Sequence, residues 1–553
     1  NPRELTSMDV AKNRGTLMVV SFLTLVACGM GVATRTAVAP ALSDAYGISA
    51  QEYGTILGLG FVGFGVVILI GGFIVEFLGY RNVLLLAVVL HLLSAVMVLA
   101  TPTLYDYWST SSSVAEESGE GDGESAVSGA AKSSNANAKE NTIYLLMLSV
   151  LLFSICSGLY EAVINPLIGQ VYPEDQTHYL NILHAGWPGG LIVGGLFAVG
   201  FMTKDAVISE IPWHLALGSY SIVLLLLLVL SLKATYPATV SQGGKTDFGV
   251  LFSCFISLPF LILIVMHGLI GYMELGVDSW QTRLMENLVT NSVIVLVYTS
   301  LLMFVLRFFA GPIVHKLNPV GLLLLSSVLA VLGLVALGYS TTVGVIFAAA
   351  TLYSLGKAFL WPTMLAIAGE RYPQCGAVSM SALGAAGMIS VGLIGGPAIG
   401  VKQAISANAA LEQLDQEVHA RYQSKKEGAF FGYKYNQIDT AKQQPALEFD
   451  AAEEGALEAA KTKIQSGVAA ENIAVEDADA LIANLEHDAP IVVEAYNSGG
   501  RRALRLTAFV PVGMTIGFLV LFMYYKSIGG YKVLDITGKP VEESGQGKAA
   551  SEA

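Results

Sequence analysis

The stretch "GGFIVEFLGYRN", residues 71–82, decides the fold of this chain. An apolar helix stops on a glycine, shows the solvent one basic residue, and gives way at once to another apolar run. The same cadence returns at 310–321 as "AGPIVHKLNPVG", where Gly311, His315 and Asn318 stand 239 residues after Gly72, Glu76 and Gly79. A second pair of echoes, "VYPEDQ" at 171–176 and "RYPQCG" at 371–376, is offset by 200. The 39-residue difference matches a Ser/Gly/Glu-rich stretch, "TSSSVAEESGEGDGESAVSGAAKSSNANAKE" at 110–140 with its flanks, that only the first half carries. The chain is therefore two copies of one plan, unequally interrupted.

Composition says what medium that plan is built for. The 553 residues are 54% hydrophobic and 13% charged, and the mean hydropathy is +0.61; soluble domains carry about 25% charged residues. Apolar runs long enough to cross a ~30 Å hydrocarbon core recur throughout. Twelve spans are expected, at 16–40, 53–78, 82–101, 142–170, 179–203, 213–233, 248–273, 291–315, 319–340, 342–369, 376–401 and 503–526. The first run far exceeds the core of a signal peptide and reads as a retained span. An all-α membrane protein of two six-helix bundles follows, 1–233 and 248–553, joined by a polar linker at 234–247.

Net charge is −13, yet residues 102–141 hold 7 acids against 2 bases and residues 403–500 hold 17 against 7, which leaves the remainder at about +2. The acidity belongs to two extramembrane segments and implies nothing about nucleic acid. Arg3, Lys12, Arg14, Arg81, Lys233, Lys245, Lys316 and Arg371 all fall on one side when spans are counted. The positive-inside rule makes that side cytoplasmic, with both termini there and both acidic segments outside. The cell (inner) membrane is the expected location. The 102–141 segment reads as a disordered external loop. The 403–500 insertion, with "AALEQLDQEVHARY" and "EEGALEAAKTKI", reads as an external helical subdomain. Cys28, Cys156, Cys254 and Cys375 sit in or beside spans without metal-like spacing, so neither a disulfide framework nor a cofactor is expected. Nor is enzymatic chemistry: the Gly-rich "PGGLIVGGL" at 188–196 lies inside a span, where packing explains it.

Polar residues within spans are costly and mark function. In "GLYEAVINPL" (158–167), Glu161 and Asn165 lie four apart on one helical face, extended by Ser154 and Ser157. Glu161 stands about ten residues, roughly 15 Å, from the cytoplasmic end. Pro166 frees a backbone carbonyl and loosens the helix. A carboxylate at that depth is either a proton- or substrate-handling group or the partner of a neighbouring arginine. In span five, Asn181, His184 and Trp187 share a face at matching depth, while Gly186, Gly190 and Gly194 form a separate stripe suited to close packing. An aromatic, imidazole and amide face against a carboxylate and amide face suits sugar binding; His184 could equally be an interior histidine. Trp361 lies 200 residues after Glu161. Lys357, one turn earlier, is either a substrate-facing cation or a partner for a carboxylate such as Glu161. Tyr272, Glu274, Trp280 and Gln281 are expected at the outer mouth of a cavity, and His267 near mid-span.

The Gly72, Glu76, Gly79 and Arg81 pattern resembles the loop between spans two and three of the major facilitator superfamily. There such residues form a cytoplasmic latch that biases outward- and inward-facing states. A narrower resemblance, to the fucose/galactose/glucose–proton symporters, rests on Glu161, Asn165 and Pro166 in span four and on Trp361, Pro362 and Thr363 in span ten. Glu274, Ser279 and Trp280 in span seven and Asn181 in span five complete it. It covers all twelve spans and neither insertion. It implies proton-coupled sugar symport by alternating access, with Glu161 the proton site and His184 and Trp187 lining the cavity. Those symporters carry an acid in span one, whereas this chain places Arg35 and Thr36 there. Either Glu161 alone handles the proton, or coupling is lost, or Arg35 binds an anionic substrate such as an acidic sugar. A non-transporting sensor with the same fold is the other alternative. The expected partners are a small molecule, protons and lipid, and the expected state is a monomer.

Overall fold

The structure, a computed structural model, describes residues 7–46, 48, 50–117, 124–202, 208, 211–243, 248–285, 293–469 and 472–541. Eleven helices among them are long and apolar enough to cross a membrane. Asn13–Ala37, Gly60–Leu78, Tyr80–Thr110, Asn137–Val171, Gln176–Phe201 and Trp213–Lys233 fill the six places of the first half. Leu258–Trp280, Ala310–Tyr339, Val343–Arg371, Pro373–Leu414 and Val475–Ser527 belong to the second.

The eighth place is filled differently from the continuous 291–315 run expected. A shorter apolar helix, Ile294–Arg307, breaks at Phe308 and Phe309 before Ala310–Tyr339 begins. Pro312 accounts for the break, because it supplies no N–H to the carbonyl of Phe308 four residues earlier. The longer helix is itself two segments meeting at Asn318, which adopts φ 55° and ψ 165°. Gly79, its repeat mate, also has positive φ, 78°. Both positions turn the chain sharply between two spans, glycine doing so without a Cβ penalty. The Asn318 side chain accepts the N–H of Gly321 at 3.0 Å and so caps the next helix.

Small residues set how closely the helices approach. Built on Gly190, a Cβ would lie 2.9 Å from the Cα of Gly29 in the first span, and on Gly72 it would lie 2.6 Å from Ser381 in the eleventh. The glycine stripe of span five thus faces span one, within its own half, while Gly72 lets spans two and eleven meet across the halves.

The two insertions are built differently. The 102–141 segment continues the flanking helices, Tyr80–Glu117 and Glu124–Val171, rather than forming an irregular loop. Residues 118–123 lie outside the described residues. The 403–500 segment grows from the prolonged helices of spans eleven and twelve, Gly396–Leu414 and Val475–Thr507. It encloses its own core, with Leu411, Val418, Tyr422, Leu485 and Val492, and includes a hairpin of β1 (Gly428–Phe430) and β2 (Tyr433–Tyr435) besides helices. Asp488, fully buried there, takes two bonds from Arg421, at 2.8 and 2.7 Å.

Candidate functional site

Prolines prepare the centre of the molecule. Pro188 in span five and Pro362 in span ten lack the N–H that would bond the carbonyl four residues back. Those carbonyls belong to His184 and Ala358, and the helices break beside them, between Gln176–His184 and Gly186–Phe201 and between Val343–Lys357 and Leu360–Arg371. Both freed carbonyls accept from one buried guanidinium. Arg307 donates Nε–H to Ala358 at 2.7 Å and Nη1–H to His184 at 2.5 Å. Its Nη2 reaches Glu274 Oε1 at 3.3 Å. Three donor directions are thereby spent, two within the second half and one across to the first.

A second chain of bonds runs from the first half to the same place. Asn165 Nδ2 donates to Glu161 Oε2 at 2.7 Å and to the Glu161 carbonyl at 2.9 Å. Its Oδ1 lies 2.8 Å from His184 Nε2. Because the Asn165 amide nitrogen faces the carboxylate, Oδ1 must accept, so Nε2 of His184 carries a proton. Between the two chains lies a small cavity, lined by Glu161, His184 and Trp187 from the first half and by Glu274, Arg307 and Trp361 from the second, with Phe64, Leu275 and Met388. Trp361 is held edge-on against His267, with ring centroids 4.4 Å apart. Glu274 Oε2 is buried and has no hydrogen-bond partner among the described residues.

The structure therefore brings together Glu161, Asn165, His184, Trp187, Glu274 and Trp361, and it separates the other expected site residues. Arg35 lies inside the first bundle, donating to the Gly31 carbonyl, Ser94 and Tyr220 at 3.2, 3.1 and 2.9 Å. Its guanidinium stacks 4.0 Å from the Phe153 centroid, so neutral oxygens and a ring, not a ligand in the central cavity, satisfy it. Lys357 pairs with Asp278 of span seven at 2.5 Å, and not with Glu161. Tyr272 and Trp280 face the eleventh span rather than the cavity mouth. Tyr272 accepts from Lys402 at 2.9 Å, and a Cβ on Gly400 would lie 2.7 Å from the Trp280 ring. Asn181 sits deeper, bonding the Thr177 carbonyl at 2.7 Å and Thr363 at 3.3 Å. The side chain of Gln281 lies outside the described residues.

Two residues escaped the sequence reading. Arg307 stands ten residues from Leu317 as Glu161 does from Val171, so depth alone matches the two. Asp278 was hidden in the polar end of span seven.

The loop residues also meet across the halves. Glu76, fully buried, accepts the N–H of Ala377 at the start of span eleven at 2.6 Å and that of Ser241 in the linker at 3.0 Å. Gly79 supplies the turn, while Arg81 is exposed. In the second copy His315 pairs with Asp175 at 3.1 Å, and the Gly311 N–H donates to His178 Nδ1 at 3.1 Å. Glu370 accepts from Thr177 at 2.8 Å and from Tyr531 of the C-terminal segment at 2.5 Å.

A sequence model of the Major Facilitator Superfamily matches residues 20–397. No curated protein matches by sequence. The fold is similar to that of the proton:xylose symporter XylE bound to a bromodeoxyglucose, with TM-score 0.54, 14% identity, and coverage of 70% of this chain and 89% of that one. The human organic anion transporter MFSD10 gives 0.50, 12%, 91% and 99%, and the E. coli fucose:proton symporter FucP gives 0.48, 14%, 69% and 91%. At these identities the likeness is one of fold.

Proposed function

The chain belongs to the Major Facilitator Superfamily, and from that premise we propose that it carries a sugar or sugar-like small molecule across the cell (inner) membrane by alternating access, coupled to protons through Glu161. One observation carries the reading: the central cavity is shared by both halves and walled by two tryptophans and two carboxylates. Rings stack on indoles, and hydroxyls donate to carboxylates. Glu161 is the proton site because a neutral amide holds one of its oxygens and no cation forms a salt bridge with it among the described residues, whereas Glu274 is tied to Arg307. The end bearing Glu76 and His315 is the cytoplasmic one by its bases, which puts the 403–500 subdomain outside. Glu76, Gly72, Gly79 and the His315–Asp175 pair act as the closing latch. An anionic substrate is disfavoured, since Arg35 is absent from the cavity and the charge of Arg307 is already matched by Glu274.

The test is proton movement in liposomes. Glu161→Gln is expected to abolish sugar-driven proton uptake while sugar exchange continues; normal proton coupling in that variant would sink the assignment.

A further inference from the structure

The central cavity presents acceptors that no neighbouring side chain satisfies, and more negative charge than positive. Arg307 brings the positive charge, and its Nε, Nη1 and Nη2 each already donate one bond, to two carbonyls and one carboxylate oxygen. Asn165 spends its amide on Glu161 and its carbonyl oxygen on His184, leaving His184 Nδ1 a bare acceptor. Glu274 Oε2 is buried and has no partner among the described residues. Among the described residues, the wall's remaining donors are the indole N–H groups and two N–H bonds of Arg307, a cation already paired with Glu274. Two carboxylates stand against one guanidinium, inside aromatic walls contributed by Phe64, Trp187 and Trp361.

A buried charge demands a partner, and ring faces around it favour a cation. We infer that the substrate carries a protonated amine, which Glu274 Oε2 receives, so that this site selects an amino sugar or a similar polyhydroxylated amine over neutral and acidic counterparts. The inference rests on the transport reading of the cavity and narrows its substrate class. Hydroxyls of the same molecule would donate to Glu161 and to His184 Nδ1. A carboxylate-bearing sugar would meet two like charges and one cation already paired with Glu274.

The purified full-length protein can be titrated at neutral pH with glucosamine, galactosamine and mannosamine, each beside its neutral hexose and its uronate. At least one amino sugar is expected to bind tenfold or more tightly than its neutral counterpart, with the uronate not binding. Glu274→Gln is expected to bring the amine down to the level of the hexose. Equal or tighter binding of the neutral hexoses overturns the inference and leaves sugar transport standing, as does an amine preference that survives Glu274→Gln. Tightest binding by a uronate overturns it as well. Failure of all nine sugars to bind overturns the sugar reading together with it. The comparison among sugars on the unmodified protein decides the matter even where the Gln variant does not fold.

Discussion

Removing Arg307 tests the centre most directly. Arg307→Met keeps length and apolar stem but strands three acceptors at once. The Glu274 carboxylate becomes an unpaired buried charge, a loss of roughly 3–5 kcal/mol in comparable broken pairs. The His184 and Ala358 carbonyls, already denied their helix donors by Pro188 and Pro362, add about 1–3 kcal/mol each. Glu274→Gln alone costs less, since Arg307 keeps both carbonyls. The double variant strands the carbonyls without the charge, so it is expected to be more stable than Arg307→Met by about 2 kcal/mol or more, the signature of a coupled pair. Thermal unfolding of the three purified variants in one detergent measures the order. Arg307→Met should melt lowest, the double variant in between and Glu274→Gln highest. If the double variant melts below Arg307→Met, by the sum of the single effects, the guanidinium does not neutralise Glu274 and the reasoning about the cavity's charge fails.

Two further outcomes follow from single side chains. Gly387→Ala would place a methyl 2.6 Å from the Trp361 ring and 2.9 Å from His267 Cδ2; overpacking of this kind costs about 1–3 kcal/mol and pushes the indole into the cavity. A lower melting temperature and tenfold weaker sugar binding are expected, and a variant unchanged in both would show that Trp361 does not shape the site. In the 403–500 subdomain, Asp415 accepts the N–H groups of Val418 and Glu417 at 2.9 and 2.8 Å, and these bonds hold its carboxyl below its ordinary range. A depressed carboxyl stabilises the fold above the unfolded value of about 3.9, and the contribution is lost as pH falls through the folded one. Amide exchange over 416–422 should therefore accelerate in acid, and Asp415→Asn, which still caps, should flatten that dependence; an identical acid response in the variant removes Asp415 as its source.

What could be read from residues alone was whatever repeats or has a period. The 239-residue echo placed Gly79 and Asn318 in equivalent turns, and both have positive φ. Helical spacing put Glu161 and Asn165 on one face, where they bond. What failed was pairing between helices. Lys357 could face Glu161 or Asp278 with equal sequence logic, and the choice lies in the rotation of span ten beyond its break at Ala358 and Phe359. Arg35 looked like an anion site because intramembrane charge suggests function, but a ring and three neutral oxygens absorb it where four helices of one bundle meet. Arg307 was the costliest omission. Its signal was present in a form not used: two prolines, each four residues beyond a carbonyl at mid-depth, announce a donor from elsewhere.

The same bonds decide how the molecule can switch. Among the described residues, six hydrogen bonds join the halves between the cavity and the loop end: Ala377 to Glu76, Gly311 to His178, His315 to Asp175, Thr177 to Glu370, Asn181 to Thr363, and Arg307 to His184. At about 1 kcal/mol for each neutral bond and roughly 1.5–3 for those of Glu76, Glu370 and Arg307, with little from the exposed His315 pair, opening that end costs several kcal/mol. A ligand shifts such an equilibrium only by its differential affinity for the two states, and about 5.5 kcal/mol is needed to reverse it from 1:99 to 99:1. A small molecule at the centre must therefore act on a bond it can reach. Arg307 to His184 is that bond. It touches the cavity, crosses the halves, and is continuous through His184 and Asn165 with Glu161, so a proton on Glu161 or a cation beside Glu274 changes the field on the one tie whose release lets the loop end part.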